Sequence, residues 1–194
     1  GDIGYVRISV FGATTGQELS DTLARLDGQG VKGYVLDLRN NGGGYLDAAI
    51  DVSSKFIDCG PIVSIDSRTA PYTTFDANAT AISPRPLAVL VNGFTASASE
   101  ITSGAIQQSG AGVLVGTRTF GKGVVQTIYP LPDGSAIKIT TARYLTPNGN
   151  NINEVGIMPD ILVPDPAAGV LGNPDADAQL QRAAAYVLSK IGSS

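Results

Sequence analysis

The sequence predicts an α/β fold, in which β-sheets carry flanking helices and a further helix ends the chain. Strand-like apolar segments alternate with helical patterns through the first two thirds of the 194 residues. Residues 34–38 and 87–92 are almost continuously apolar, which is typical of central strands buried on both faces. The composition, 43% hydrophobic and 15% charged, fits a compact chain with a sizeable core.

The first third of the chain contains three strand patterns and two helix patterns. Residues 5–11 alternate, with Val6, Ile8 and Val10 on the side expected to be buried. Thr15 and Glu18 have the spacing of a capping box, which predicts a helix ending near residues 28–30. The next elements are a strand at 34–38, a glycine-rich turn at 39–44, a helix at 45–57 and a strand at 61–66.

The remainder of the chain begins with a polar, Pro-containing segment at 67–86, which we interpret as a loop or short hairpin forming a lid or rim. The elements predicted after it are a strand at 87–92, a helix at 97–108, a strand at 112–116, a hairpin of 124–129 with 136–144, an extended segment at 156–163, a linker at 164–174 and a helix at 175–191. We therefore divide the chain into a core, residues 1–164, and a linker with a C-terminal helix that packs on it, residues 165–194.

The composition excludes several kinds of catalytic site. The sequence contains no histidine, which removes Ser-His-Asp and Cys-His arrangements and imidazole metal sites. Cys59 is the only cysteine, so no intrachain disulfide forms. Proton transfer must therefore fall to Asp, Glu, Lys or Tyr. The net charge of −4, without a basic run, argues against nucleic-acid binding. The apolar runs are too short to span a membrane, and the first residues do not read as a signal peptide.

Ser97 and Lys122 are the candidate pair for nucleophilic catalysis. Ser97 is predicted in the first turn of a helix, where free N–H groups and the helix dipole favour negative charge. Lys122 lies between Gly121 and Gly123 in an apolar neighbourhood. A lysine acts as a base when burial lowers its pKa toward neutrality, and this setting suits a desolvated amine. Gln126 is close enough along the chain to hold the amine by a hydrogen bond.

Two backbone N–H groups are candidates for stabilising a developing oxyanion. The N–H of Ala98 directly follows the proposed nucleophile. The second donor could come from the three consecutive glycines of the turn at 39–44, because a backbone without side chains can approach a substrate closely.

Each of these features also has a simpler interpretation. Ser97 alone is most often a helix N-cap, and Glu100 is its usual capping partner. Lys122 could be an ordinary turn lysine, and Asp37 could only stabilise the glycine turn. That turn could equally bind a phosphate at the following helix. Periodicity alone therefore supports a globular α/β domain with an oxyanion-like site.

Several motifs together resemble the C-terminal processing peptidases, also called tail-specific proteases. The matching stretches are 37–44 (DLRNNGGG), 96–101 (ASASEI), 119–126 (TFGKGxxQ), 133–138 (DGSAIK), 142–152 (ARYxTPxGxxI) and 156–160 (GIxPD). They follow the order that the family shows and cover residues 4 to 163. Several separate motifs in the correct order are highly specific, whereas any one alone would be weak.

The resemblance implies a serine endopeptidase that cuts proteins near their C-termini through an acyl-enzyme and needs no cofactor. Ser97 would be the nucleophile, Lys122 the general base and Gln126 the residue that orients the lysine. The oxyanion hole would be formed by Ala98 and a glycine of the turn, for which we favour Gly43. The fold implied is the family's α/β core, related to the crotonase and Clp-protease folds. The implied location is the periplasm, the cell surface or an organelle lumen.

The sequence departs from the family pattern at its beginning. Family members usually carry a PDZ domain before the strand that begins here, and that domain binds the substrate's C-terminus by strand addition. We therefore expect a catalytic core cut from a larger protein. In this family the catalytic residues can be held apart until a ligand or the PDZ domain permits closure.

Two other functions remain as alternatives. One is a non-catalytic ligand-binding module, because retinoid-binding proteins of the photoreceptor matrix are built from related modules. The presence of Ser97, Lys122 and Gln126 together argues against it. The other is an acyl-CoA hydratase of the crotonase type, which would leave the Ser-Lys pair unexplained.

Overall fold

The computed structural model describes residues 1–68, 70–167 and 169–192. The strands are β1 (Ile3–Arg7), β2 (Gly33–Asp37), β3 (Pro61–Ser67), β4 (Thr73–Asp76), β5 (Leu87–Val91), β6 (Val113–Gly116), β7 (Val124–Pro130), β8 (Ala136–Leu145) and β9 (Ile161–Leu162). The helices are α1 (Thr15–Gly28), α2 (Leu46–Ser53), α3 (Ala98–Ser109) and α4 (Ala178–Ile191).

Two sheets form the framework of the molecule. The larger sheet is parallel, with strand order β1-β2-β5-β6-β9. Helices α1, α2 and α3 lie in its first three crossovers, and the β7–β8 hairpin lies between β6 and β9. The smaller sheet is antiparallel, with order β4-β3-β8-β7. The α/β prediction is therefore confirmed, and the segment at 67–86 includes the second strand of a hairpin rather than loop alone.

Helices cover both faces of the parallel sheet. Every residue of β2 and β5 is buried, because alternate side chains of these central strands enter two separate cores. Leu36 and Val89 face the core formed with α1, α2 and α3. Val35 and Leu90 face the opposite core, which α4 completes with residues such as Val187. Burying each such aliphatic side chain contributes about 1.5–3 kcal/mol.

Several predicted boundaries are wrong for local reasons. The first strand ends at Arg7, and Val10 is 61% exposed, because the chain leaves the sheet to bring Phe11 against the glycine turn. The capping box at Thr15 does not form, since the Glu18 carboxylate accepts instead from Thr14 Oγ1 at 2.6 Å.

Two helices are shorter than predicted, and in both cases side-chain hydrogen bonds explain where the helix ends or begins. Helix α2 ends at Ser53, where the hydroxyl groups of Ser53 and Ser54 both donate back to carbonyls one turn earlier. Helix α4 begins at Ala178, because the Asp177 carboxylate caps it by accepting from Leu180 N–H. Across the described residues, none of the helices has both the length and the apolar character that a membrane span requires.

Candidate active site

Ser97 lies between strand β5 and helix α3, in a strained backbone conformation. Its φ of 56° and ψ of −119° are those of the first central residue of a type II′ turn, a position that favours glycine. A non-glycine residue held there costs on the order of 1–3 kcal/mol, so the surrounding contacts must fix it. One of them is Thr95 Oγ1, which donates to Leu38 O at 2.9 Å and accepts from Asn92 N–H. Strain of this kind is common where a side chain must be presented in a defined direction.

The carboxylate of Glu100 connects the Ser97 turn to the segment that carries Lys122. Glu100 is fully buried. Its Oε2 accepts from the backbone N–H of Ser97 at 3.0 Å and from that of Lys122 at 2.8 Å. Its Oε1 accepts from Thr119 Oγ1 at 2.6 Å and from Gly121 N–H at 2.7 Å. Hydrogen bonds to a charged acceptor are about twice as strong as neutral ones, so four of them hold the two segments together.

These contacts place the candidate nucleophile and base side by side along the backbone. The backbone nitrogens of Ser97 and Lys122 share one acceptor atom, so they lie within about 6 Å of each other. The two residues are 25 positions apart in sequence, with α3 and β6 between them. The fold therefore brings the backbones of Ser97 and Lys122 together.

The side chains of Lys122 and Gln126 differ from the expectation of a desolvated amine. Lys122 is exposed, and among the described residues its Nζ has no hydrogen-bond or ion-pair partner. Gln126 is exposed as well, and a strand irregularity falls between Val125 and Gln126. The apolar neighbour Phe120 is itself 61% exposed, so it faces solvent and does not enclose the amine. The expectation of burial at Lys122 is therefore wrong for this conformation.

The glycine turn (residues 39–44) packs directly against the Ser97–Ala98 peptide. Gly43 has a φ of +101°, and a Cβ added there would lie 2.8 Å from Ser97 Cβ and 2.9 Å from Ala98 N. No real Cβ makes contacts this short, so only glycine fits at this position. Gly43 therefore lies in direct contact with the peptide that carries the candidate nucleophile, and its approach to a substrate stays a prediction.

The two candidate oxyanion donors are in different states. The Ala98 N–H has no acceptor among the described residues, as expected of the first turn of a helix. The Gly43 N–H donates to Asn41 Oδ1 at 2.9 Å. In this conformation the Ala98 N–H is free to donate to a ligand oxygen, whereas the Gly43 N–H must first give up its hydrogen bond to the Asn41 side chain.

Asparagine side chains and carbonyls hold the glycine turn in place. Asn41 O accepts from Ala96 N–H and from Ser99 Oγ, both at 3.0 Å. Asn40 has a φ of 59°, and its side chain accepts from Asn92 Nδ2 at 2.8 Å while Asn92 Oδ1 accepts from Asn40 N–H at 3.0 Å. The turn and the strained serine are therefore positioned by the same set of hydrogen bonds.

A buried ionic cluster lies at the start of the glycine turn. Arg39, Asp37 and Asp177 are all completely buried. Asp37 also accepts from the Tyr5 hydroxyl at 2.7 Å. Burial and this hydrogen bond to a carboxylate raise the pKa of Tyr5 well above its ordinary value. Burial alone would raise the pKa of Asp177, but hydrogen bonds from Arg39 and from backbone N–H groups lower it overall.

The sequence did not reveal the full structural roles of Glu100 and Arg39. Glu100 was interpreted as a capping partner, which it is, but its second set of contacts to residues 119–122 could not be seen in a local motif. Arg39 follows a continuously apolar strand, which is an unusual place for a solvated charge and could have indicated a buried ion pair. Its partner Asp177 lies 138 residues further along the chain, beyond the reach of any local pattern.

Known proteins resemble this chain in sequence and in structure. A model of peptidase family S41 matches residues 2–163. The carboxyl-terminal-processing protease of Synechocystis sp. is 46% identical over 164 residues, which cover 84% of this chain and 38% of that protein. The corresponding protease of Picosynechococcus sp. is 42% identical over 182 residues, covering 93% and 44%. The solved structure of a photosystem II D1 C-terminal processing protease superposes with a TM-score of 0.79 at 42% identity, covering 84% of this chain and 42% of that one.

The chain thus spans less than half the length of these relatives. The structural match supports the predicted α/β core and its order of elements. A family model and relatives above 40% identity agree on the same residues, which is a stronger finding than fold similarity alone.

Proposed function

This chain belongs to peptidase family S41, and from that premise we propose that it is the catalytic core of a C-terminal processing protease, a serine-type endopeptidase that cleaves peptide bonds near the C-termini of proteins. The single observation that carries the proposal concerns the buried Glu100 carboxylate. Its Oε2 accepts hydrogen bonds from the backbone N–H groups of both Ser97 and Lys122, which keeps the two residues adjacent.

In the proposed reaction, Ser97 Oγ attacks the carbonyl carbon of the scissile peptide while its proton passes to Lys122 Nζ. The tetrahedral intermediate collapses, the C–N bond breaks, and the leaving amine takes the proton from Lys122. Lys122 Nζ then takes a proton from a water molecule, which attacks the carbonyl carbon of the acyl-enzyme. The ester bond to Ser97 Oγ breaks, the new C-terminus leaves, and Ser97 Oγ takes the proton back from Lys122. Lys122 serves as the base in both steps, so neither a histidine nor a cofactor is required.

The oxyanion of each tetrahedral intermediate is proposed to bind the N–H groups of Ala98 and Gly43. The proposal is supported by the free N–H of Ala98 and by the close packing of Gly43 on the Ser97–Ala98 peptide. Because Gly43 N–H is bonded to Asn41 Oδ1, formation of the complete hole requires that hydrogen bond to open. Each oxyanion donor of this kind contributes about 3–4 kcal/mol to catalysis.

Lys122 is exposed to solvent in this conformation, and it must be less hydrated to act as a base. An exposed ammonium is stabilised by water, and a bound peptide that covered Lys122 would remove that water and favour the neutral amine. Gln126 is proposed to hold the amine toward Ser97 in that closed state. Activation by the substrate itself follows from this arrangement.

Two exposed aromatic side chains flank the proposed dyad. Phe94 precedes Ser97 by three residues and is 69% exposed, and Phe120 precedes Lys122 by two and is 61% exposed. The Phe120 N–H donates to Thr95 O at 3.0 Å, which keeps the two segments adjacent. We propose that these rings contact apolar side chains of the substrate next to the scissile bond.

The partners of this core are proposed to be protein or peptide substrates and, in the full-length protein, a PDZ domain that captures the substrate's C-terminus. The proposed location is extracytoplasmic or in an organelle lumen. Relatives named as chloroplastic processing peptidases support the organellar part of this proposal.

Hydrolysis of unfolded casein by this chain and by Ser97→Ala tests the function. We expect cleavage by the parent, none by Ser97→Ala, and full cleavage by Ser20→Ala, whose hydroxyl lies on α1 and donates to Gly16 O. Undiminished cleavage by Ser97→Ala would contradict the nucleophile assignment. Absence of cleavage by the parent as well would contradict the proposal that this chain is a working catalytic core.

A further inference from the structure

We propose that Asp177, the N-cap of helix α4, is a positioning residue for the active site: it fixes the Arg39 guanidinium and through it the glycine turn that carries Gly43. This inference rests on the proposed function and assigns a role to the C-terminal segment of the chain. The matched family model ends at residue 163, so Asp177 lies outside it.

The Arg39 side chain uses all five of its N–H donors inside the protein. Nε and Nη2 donate to the two oxygens of Asp37, at 2.9 and 2.6 Å. Nη1 donates to Asp177 Oδ1 at 2.9 Å and to Gln179 Oε1 at 3.0 Å, and Nη2 contacts Asp177 Oδ2 at 2.8 Å. A buried guanidinium with every donor satisfied has one favourable position. Two residues at the start of α4 supply three of these five contacts.

Asp177 is itself fixed by the backbone around α4. Its Oδ1 accepts from Leu180 N–H at 3.1 Å, and its Oδ2 accepts from Gly172 N–H at 2.8 Å. The helix that follows is anchored to the parallel sheet through Ala183 and Val187, which are both completely buried. The Asp177 carboxylate therefore keeps its position only while α4 is packed on the parallel sheet.

The glycine turn begins at Arg39, and its geometry depends on that residue. The Arg39 N–H donates to Asp37 Oδ1 at 3.0 Å, so backbone and guanidinium bind the same carboxylate. Two residues later, Asn41 O accepts from Ala96 N–H, next to the nucleophile. Without Asp177, one N–H on each terminal nitrogen of Arg39 loses its acceptor. The guanidinium then gains by moving toward water, and the turn moves with it.

The test uses Asp177→Asn in the 194-residue chain. Asparagine caps helices as well as aspartate does, so α4 stays capped while the charge that holds Arg39 is removed. Gln181→Ala is the matched control, because the Gln181 side chain is exposed on α4 and donates to Pro174 O, and its backbone bond to Asp177 O survives the substitution. The first measurement is hydrogen exchange of the backbone amides, read by mass spectrometry on peptides covering residues 39–44 and, for reference, helix α1.

We expect Asp177→Asn to speed exchange in residues 39–44 by about tenfold or more while α1 is unchanged, since a local opening affects only the amides it exposes. Gln181→Ala should alter neither. We also expect kcat on a peptide substrate to fall about tenfold with KM within about twofold, because the oxyanion contacts act mainly in the transition state. Asp177→Glu, which restores the charge, should recover part of the kcat.

Unchanged exchange of residues 39–44 in a folded Asp177→Asn variant would overturn the proposal, as would a wild-type kcat. If Asp177→Asn does not fold, Gln179→Met takes its place. It removes one acceptor from Arg39 Nη1, and exchange in the turn equal to that of the parent would overturn the proposal. If the parent hydrolyses nothing, the proposed function fails, but the exchange measurement still decides whether Asp177 positions the turn.

Discussion

Replacing Glu100 by glutamine removes one of the two carboxylate oxygens that hold the Ser97 and Lys122 segments together. The side chain keeps its size, so no cavity forms in the core. What changes is the number of acceptors available to four buried or half-buried donors: the backbone N–H groups of Ser97, Gly121 and Lys122, and the hydroxyl of Thr119.

The structure indicates how the glutamine would orient. Its oxygen should face Ser97 N–H and Lys122 N–H, because both are donors and neither can accept. Its NH₂ group then faces Thr119 Oγ1, which can rotate to accept, and Gly121 N–H, which cannot. One buried donor without an acceptor costs about 1–3 kcal/mol, and the change from a charged to a neutral acceptor weakens each remaining bond by about 1 kcal/mol. We therefore expect the free energy of unfolding to fall by about 3–5 kcal/mol.

Urea unfolding followed by circular dichroism measures this loss. Glu18→Gln is the matched control, because it makes the same chemical change at an exposed residue whose carboxylate accepts one hydrogen bond, from Thr14. We expect it to change the free energy of unfolding by less than about 0.5 kcal/mol. If Glu100→Gln were as stable as Glu18→Gln, the four hydrogen bonds would not hold the site together, and the argument from Glu100 would fail.

Lys122→Arg should abolish hydrolysis, because a guanidinium stays protonated at neutral pH, whereas Lys138→Arg, on exposed β8, should not. The rate of the parent should rise from neutral to alkaline pH, and a flat profile would count against the amine base. Gly43→Ala should lower kcat by about 100-fold or more, because the new Cβ would collide with the Ser97–Ala98 peptide. Gly30→Ala is the control: it has a similar positive φ but no atom within 4 Å, so it should lower stability slightly and leave kcat unchanged. Equal kcat in the two variants would refute the role given to the contact between Gly43 and that peptide. Burial opposes it, but hydrogen bonds from Arg39 and from backbone N–H groups hold the pKa of Asp177 below the ordinary value of an aspartate. Its stabilising contribution is therefore complete above that ordinary value and is lost as the pH falls through the lower folded-state value. Unfolding followed as a function of pH should therefore show the parent to be more stable than Asp177→Asn at neutral pH, and the two should converge in acid. Curves that stay parallel would contradict the assignment.

Local signals in the sequence were sufficient for the α/β class, the family and the neighbourhood of the site. Continuous apolar strands and turn residues predicted the central sheet, and the motifs around Ser97 and Lys122 predicted two residues whose backbones the fold places side by side. The capping relation between Ser97 and Glu100 was also visible, because it spans only three residues. The individual roles of Ser97, Lys122, Gln126, Ala98 and Gly43 remain predictions.

The features that the sequence did not predict depend on contacts between distant segments. Val10 continues an alternating pattern, yet it is exposed because Phe11 must reach the glycine turn. Lys122 has apolar neighbours in sequence, but exposure is decided by what packs over them, and Phe120 faces solvent. Arg39 and Asp177 are 138 residues apart in sequence, and they meet only because α4 packs on the parallel sheet. No local pattern could therefore predict the pair.

Capture of the acyl-enzyme tests the central claim most directly. A peptide ester would be mixed with the chain, turnover would be quenched in acid, and fragmentation of the digested protein would locate the added acyl group. The dyad predicts a single acyl group on Ser97, absent from Ser97→Ala and formed far more slowly by Lys122→Arg. An acyl group on another serine such as Ser99, or turnover without any acylated protein, would contradict the account.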